Sequence, residues 1–234
     1  MPRGVVLIRL GLVCAAMAIA GCAPYFATED APSGQVASGD EISNPDQWPF
    51  GAQERPWHWG EPVPTSIALL KRIANETFAL PPDWKPHLEN FSRMANVEKL
   101  TTVNSLVNRI PYRPESRDKW RHPEVFMREG GDCDCNAVAK YALLRYLGVP
   151  ADDIRITLVQ GETHRSFHMV IIVRMGRGIF DTFVLDNADH RVRTARYSGH
   201  IRPFLSVNET GAWLHQEMAP KSINKFLNPL IAEP

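Results

Sequence analysis

Two stretches of the chain carry residues able to do covalent chemistry. The first is Gly130-Gly131-Asp132-Cys133-Asp134-Cys135-Asn136. The glycine pair frees the backbone for a sharp turn, and the apolar period that follows predicts a helix starting at or just after Cys133. The unpaired N–H groups and positive dipole end of such a helix stabilise a thiolate, and the same N–H groups can receive a developing oxyanion. These residues alone admit four readings: a catalytic thiol, a Cys-x-Cys disulfide, a metal-binding pair, or two inert buried thiols. The second stretch holds His168 and Asp186. Gly176-Arg177-Gly178 reads as a three-residue hairpin loop, which sets Met175 opposite Ile179 and carries the register on to His168 opposite Asp186. Directly opposed residues of an antiparallel pair have Cβ atoms about 4.5–5.5 Å apart. A carboxylate placed there accepts an imidazole N–H, fixes the tautomer and stabilises the imidazolium, leaving the other ring nitrogen for a thiol. A slip of one residue would put the two on opposite faces. His164 reads as a surface or loop residue, and the remaining histidines show no metal-ligand spacing, so zinc is not expected.

The elements that must position these groups follow from periodicity. Ile67, Leu70, Ile73 and Ala74 recur at helical spacing, with Thr65 or Ser66 as the cap. A second helix is predicted over Val97 to Arg109, with Leu100, Val103, Val107 and Ile110 on one stripe. The helix from Cys133 carries Ala137, Tyr141 and Leu144 and stops at Gly148, with Pro150 just beyond. The period then changes to two: Ile154 to Gln160, Phe167 to Arg174 and Ile179 to Leu185 read as strands. Helices first and an antiparallel sheet after them give an α+β class.

The chain has 234 residues, with 26 Lys+Arg against 26 Asp+Glu and four cysteines. That length suits one domain with a tail. The charge balance argues against a nucleic-acid partner, and four cysteines at 14, 22, 133 and 135 do not make a disulfide scaffold. Residues 1–21 carry Arg3 and Arg9, no acid, and an apolar run from Leu10 to Ala20 that falls short of the roughly 20 residues needed to span a bilayer. The run ends in Ile19-Ala20-Gly21-Cys22, similar to a bacterial lipobox. It predicts that a signal peptide (residues 1–21, with Cys14) is removed, and that Cys22 is acylated as a membrane anchor. Residues 22–64, rich in Pro, Gly, Ser, Ala and Asp, then read as a flexible tether with an average reach of roughly 35 Å. Within it Trp48, Phe50, Trp57 and Trp59 are candidates to pack on the domain. The folded domain is expected over residues 65–234.

Gly131-Asp132-Cys133-Asp134, Ala139-Lys140-Tyr141, Leu147-Gly148-Val149-Pro150, His168-Met169-Val170 and Val184-Leu185-Asp186-Asn187, in that order, resemble the bacterial transglutaminase-like cysteine proteinases. The likeness reaches upstream to Val103-Asn104, Asn108, Tyr112 and Pro123-Glu124, and downstream to Ser206, Asn208 and Trp213, covering roughly residues 95–215. It implies a papain-like fold in the transglutaminase-like arrangement, with N-terminal helices packed on an antiparallel sheet. It further implies Cys133 as nucleophile, His168 as general base and acid, Asp186 as orienting carboxylate, and no organic cofactor. The same resemblance implies calcium held by acidic residues beside the nucleophile. Asp132 and Asp134 occupy two such positions, whereas Cys135 stands where a further carboxylate is expected. Calcium prefers oxygen ligands, so the site is weakened, rebuilt with Asn136 or a backbone carbonyl, or absent. Alternatively Asp132 and Asp134 merely cap the helix and favour its dipole. Cys135 itself remains open between a disulfide with Cys133, an inert helix residue and the nucleophile. The expected activity is a periplasmic endopeptidase acting on a protein substrate, such as a large surface adhesin, under a cyclic-di-GMP-responsive inner-membrane receptor. Amidase or transglutaminase-type acyl transfer, and a non-catalytic binding module of the same fold, are the alternatives. Ala23 after the acylated Cys points to the outer membrane as the anchor.

Overall fold

A computed structural model of the chain describes residues 54–60, 62–77, 79–115, 119–161, 167–176, 181–195 and 201–232. The signal segment with Cys14, the lipidation candidate Cys22, the tether up to residue 53, Trp48, Phe50, His164 and most of the expected 176–178 loop lie outside these residues. The helices are α1 (Thr65–Asn75), α2 (Lys85–Leu88), α3 (Asn96–Asn108), α4 (Pro123–Glu129), α5 (Cys133–Tyr146) and α6 (Pro220–Leu227). The strands are β1 (Arg55–Pro56), β2 (Lys119–Arg121), β3 (Ile154–Gly161), β4 (Phe167–Arg174), β5 (Thr182–Leu185), β6 (Arg193–Thr194), β7 (Ile201–Val207), β8 (Ala212–Leu214) and β9 (Leu230–Ala232).

A seven-stranded sheet in the order β1-β8-β7-β3-β4-β5-β6 forms the platform, every pairing in it antiparallel. Its central strand β3 alternates Ile154, Ile156 and Leu158 toward the helices, where Met169, Ile171 and Val173 of β4 join the same core. Val159, Val170, Ile172 and Val184 alternate to the other face and form a smaller cluster. Helix α5 packs on β3 and β4 and against α1, α3 and α4. It is buried over nearly its whole length, which explains why its sequence is apolar on more than one side. It ends where Gly148 takes a φ of +88°, the left-handed conformation that glycine tolerates.

Three expectations need correction. Neither Thr65 nor Ser66 caps α1: Pro64 precedes the helix, and the Thr65 N–H donates instead to Asn228 Oδ1 at 3.1 Å, so the C-terminal segment supplies the cap. The expected tether is too long at its C-terminal end. Arg55 and Pro56 pair with Trp213 and Leu214 as the edge strand of the sheet, and Trp57, Trp59 and Val63 pack on the core. Apolar aromatic surface outweighs the ordering cost of this otherwise polar stretch. The β4–β5 hairpin is also longer in its connection than three residues. Strand β5 starts at Thr182 and not Ile179, and Arg174 faces Thr182. The short α4 and α6 and the strands β1, β2, β6, β8 and β9 carry too few residues for a periodic signal, whereas β7, seven residues long, has Pro203 within its run, which speaks against a strand.

Candidate active site

The turn leading into α5 is built around two glycines for separate reasons. Gly130 sits at φ +76°, where a side chain would also run into the Pro111 carbonyl oxygen. At Gly131 a Cβ would lie 2.6 Å from Cys135 Cβ and 2.9 Å from its Sγ. The turn is clamped to the segment before β2: Tyr112 and Gly131 form a parallel bridge, and the Arg113 N–H donates to the Gly131 carbonyl at 2.8 Å. Asp132 precedes the helix in extended conformation, and its carbonyl accepts the Asn136 N–H at 3.0 Å. Cys133 is therefore the first helical residue, 8% exposed, its thiol free of any disulfide.

His168 and Asp186 meet. His168 Nε2 lies 2.7 Å from Asp186 Oδ1, with about a fifth of each side chain accessible, 20% and 19%. The register that brings them together differs from the expected one. Ile171 faces Leu185 and Val173 faces Phe183, a shift of two residues that makes Asp186 a diagonal neighbour of His168 rather than its direct partner. An even shift preserves which face each side chain occupies, and diagonal neighbours remain within reach of long side chains. Asp186 follows directly on β5, and its Oδ1 also accepts the Ala188 N–H at 2.8 Å. Burial by itself would push this carboxyl up. The His168 ring, the Ala188 N–H and the Lys140 ammonium outweigh it and hold the group below its ordinary value.

Two amides from α3 fix the backbone around that carboxylate. Asn108 Nδ2 donates to the Asp186 carbonyl at 2.8 Å, and Asn104 Nδ2 to the carbonyls of Asp189 and His190 at 2.9 and 3.2 Å. Sequence reasoning placed Asn104 and Asn108 within the family likeness but gave them no role. An Asn in the apolar stripe of a helix is the signal that pointed to one.

Cys135 and Cys133 are separated by this geometry. Cys135 is fully buried and its Sγ–H donates to the Lys119 carbonyl of β2 at 3.1 Å. Burial pushes its thiol far up, and the neighbouring Asp134 and Asp132 charges add to the effect. A neutral, enclosed thiol is neither nucleophile nor disulfide partner. The structure assigns Cys135 to packing and corrects the disulfide and nucleophile readings.

The profile of the family described as bacterial transglutaminase-like cysteine proteinase matches residues 85–215, more than half of the chain and all of the site. The chain belongs to that family. This proteinase is a cysteine peptidase with the mixed helix and antiparallel-sheet architecture its sequence implied. Its fold is shared with LapG of Legionella pneumophila, at a TM-score of 0.51 and 24% identity over 68% of this chain and 91% of that one. An EGTA-treated and a calcium-bound structure of that LapG match at TM-scores of 0.52 and 0.51, both at 24% identity. They cover 68% and 66% of this chain and 92% of theirs. No curated protein matches the chain.

Beside Cys133, Asp132, Asp134 and Cys135 bring one donor atom each within 4.8 Å of one another. Asp134 is 3% exposed, and burial pushes its carboxyl well up, reinforced by the hydrogen bond and charge of Asp132. Asp132 Oδ1 is buried without a hydrogen-bond partner in the described structure. Two carboxylates this close repel unless a proton or cation lies between them, so they fit a hard cation such as calcium. Cys135 does not fit, because its sulfur is soft, protonated and already committed to Lys119. Asp132, the residue before the helix, makes no side-chain cap bond, whereas Asp134 Oδ1 accepts the Cys135 N–H of the first turn at 2.5 Å.

Proposed function

We propose that this chain is a lipid-anchored periplasmic cysteine endopeptidase with a Cys133–His168–Asp186 triad. The observation that carries the reading is the 2.7 Å contact between His168 Nε2 and Asp186 Oδ1, beside the helix whose first residue is Cys133. With Nε2 given to the carboxylate, Nδ1 is the ring nitrogen left for the thiol. The α5 dipole and the imidazolium both favour the thiolate, which attacks a peptide carbonyl. N–H groups at the start of α5 receive the oxyanion. His168 then passes its proton to the leaving amine, and a water activated by the same imidazole releases the acyl group. Asp186 holds the tautomer and stabilises the imidazolium throughout.

The protein substrate follows from the peptidase class. A large surface adhesin as that substrate, a cyclic-di-GMP-responsive inner-membrane receptor as the regulator, and the outer membrane as the anchor point, through acylated Cys22, rest on the sequence resemblance. Calcium would be held by Asp132 and Asp134, and its charge would offset the paired carboxylates next to the thiol. The decisive experiment compares cleavage of a labelled protein with incorporation of a labelled amine, for the native chain and for Cys133→Ala. Proteolysis that vanishes in Cys133→Ala is expected. Amine incorporation without hydrolysis would replace the endopeptidase reading by acyl transfer, and a Cys133→Ala chain that keeps every activity and phenotype of the native one, where deletion does not, would replace it by a binding module. Calcium is expected to raise the melting temperature, EGTA to reverse the rise, and Asp134→Asn to abolish it. No response to calcium in the native chain would end the metal proposal. Radiolabelled lipid that enters the native chain but not Cys22→Ala would support the anchor.

A further inference from the structure

The chain that leaves α3 runs along one side of the site. Asn108 is bonded to the Asp186 carbonyl at 2.8 Å, and five residues later the Arg113 N–H donates to the Gly131 carbonyl, also at 2.8 Å. Gly131 stands two residues before Cys133. Residues 109–113 therefore join the backbone of Asp186 to the entrance of α5, as a rim beside the thiol. Ile110 anchors this rim on the core, whereas Arg109, Pro111, Tyr112, Arg113 and Pro114 are exposed. The rim is stiff for a surface segment. Pro111 and Pro114 each fix a φ angle, and the Gly131 N–H donates back to the Pro111 carbonyl at 3.4 Å. The Arg113 side chain is laid down as well. A Cβ added at Gly130 would lie 3.4 Å from both its Cγ and its Cδ, so its stem crosses the turn that leads to Cys133.

Charge distinguishes this rim from the segments around it. Arg121 on β2 pairs with Glu115 and Glu129 at 2.6 and 2.8 Å, and Arg193 beyond the 186–190 turn pairs with Asp189 at 2.7 Å. Arg109 and Arg113 make no ion pair and no side-chain hydrogen bond with any described residue. A guanidinium already held in place loses little further freedom on binding, and its planar fork matches a carboxylate. Resting on the triad reading above, we propose that Arg113, with Arg109 beside it, determines specificity by receiving an acidic side chain of the protein substrate next to the scissile bond. Neither arginine touches the reacting atoms. Arg113 fixes the register of the substrate across Cys133 through its paired N–H donors. Arg109 adds to the positive field that draws an acidic segment toward the site.

The test reads two ratios in the full chain. One is the rate of Cys133 modification by iodoacetate over that by iodoacetamide, reagents that differ by a carboxylate, with the site read by peptide mass. The other is kcat/KM for the best-cleaved acidic members of a randomised quenched peptide library over the same peptides with each carboxylate replaced by its amide. The native chain is expected to favour the acidic peptides. Arg113→Gln should lower both ratios by about threefold or more, and Arg109→Gln by less. Arg113→Lys keeps the charge and the stem over Gly130 but loses the fork, so it should fall between native and Arg113→Gln. Raising the ionic strength from about 0.05 to about 0.5 M should shrink both ratios in the native chain. Lys221→Gln, which removes an exposed charge on α6, should leave them at the native value. A native preference for the amide peptides overturns the proposal, and so do ratios that Arg113→Gln and Arg113→Lys both leave unchanged or that Lys221→Gln lowers equally. A native Cys133 that reacts with neither reagent and cleaves no peptide ends the triad reading and the proposal with it, a result distinct from a reactive Cys133 indifferent to Arg113.

Discussion

Two thiols two positions apart in a single motif differ in surroundings because of their places on the backbone. Cys133 opens the helix that packs on β4, the strand of His168, whereas Cys135 points at the β2 backbone and donates to Lys119. Cys135→Ala is therefore expected to keep turnover within about threefold while lowering unfolding free energy by about 1–3 kcal/mol, through a lost hydrogen bond and a small cavity. Parallel kinetics and urea denaturation check both halves. Gly131→Ala should behave in the opposite way. Its Cβ would meet the Cys135 side chain at 2.6 and 2.9 Å, so the helix start must shift, and Cys133 alkylation and hydrolysis should fall together. Both glycines and both cysteines were legible in the sequence. Which thiol bonds to the β2 backbone was not, since that depends on β2 lying alongside the turn.

Helix α3 is the element that turns a loose pair of residues into an aimed one. Asp186 lies just beyond the end of β5, where ladder hydrogen bonds no longer fix the backbone. The Asn108 amide, 2.8 Å from its carbonyl, takes over that task. Asn108→Ala is expected to lower kcat by about tenfold or more with KM near native, and to change the melting temperature far less than Asn104→Ala. Asn104 is fully enclosed and holds two carbonyls, so its loss strands them in the core. Steady-state kinetics with thermal melts separates the two effects. The helix itself was predictable from its apolar stripe. The partners of its amides lie some 80 residues on in sequence, 78 for Asn108 and 85 for Asn104, where no local period reports them.

The molecule as a whole closes its sheet with an N-terminal edge strand and a buried polar cluster next to it. Arg155 lies 3.6 Å over the Trp213 ring, pairs with Glu54 just before β1, and helps keep His215 neutral. Removing residues 1–53 should leave the melting temperature near native. Removing residues 1–64 should lower it by about 5 °C or more, because Glu54, β1, Trp57 and Trp59 go together. The same cluster sets an acid response. Burial and, after it, Arg155 bring His215 down from 6.5 to about 4. Its unfolded form gains a proton first, so stability should fall as pH drops from about 6.5 toward about 4, by up to about 3 kcal/mol. Urea midpoints at pH 7 and pH 5 measure this, and His215→Gln should flatten the difference. By itself the sequence determined the α+β order of elements, the helix beginning at Cys133, and the identity of Cys133, His168 and Asp186 as the groups to watch. These follow from dihedral preference and periodicity, which are local. Only the tertiary structure decided the two-residue shift of the hairpin, the N-terminal strand, the fate of Cys135, the α3 amides and the burial of Lys140. Each is a meeting of residues far apart in the chain, chosen by the surface that packing buries and not by any preference of the residues themselves.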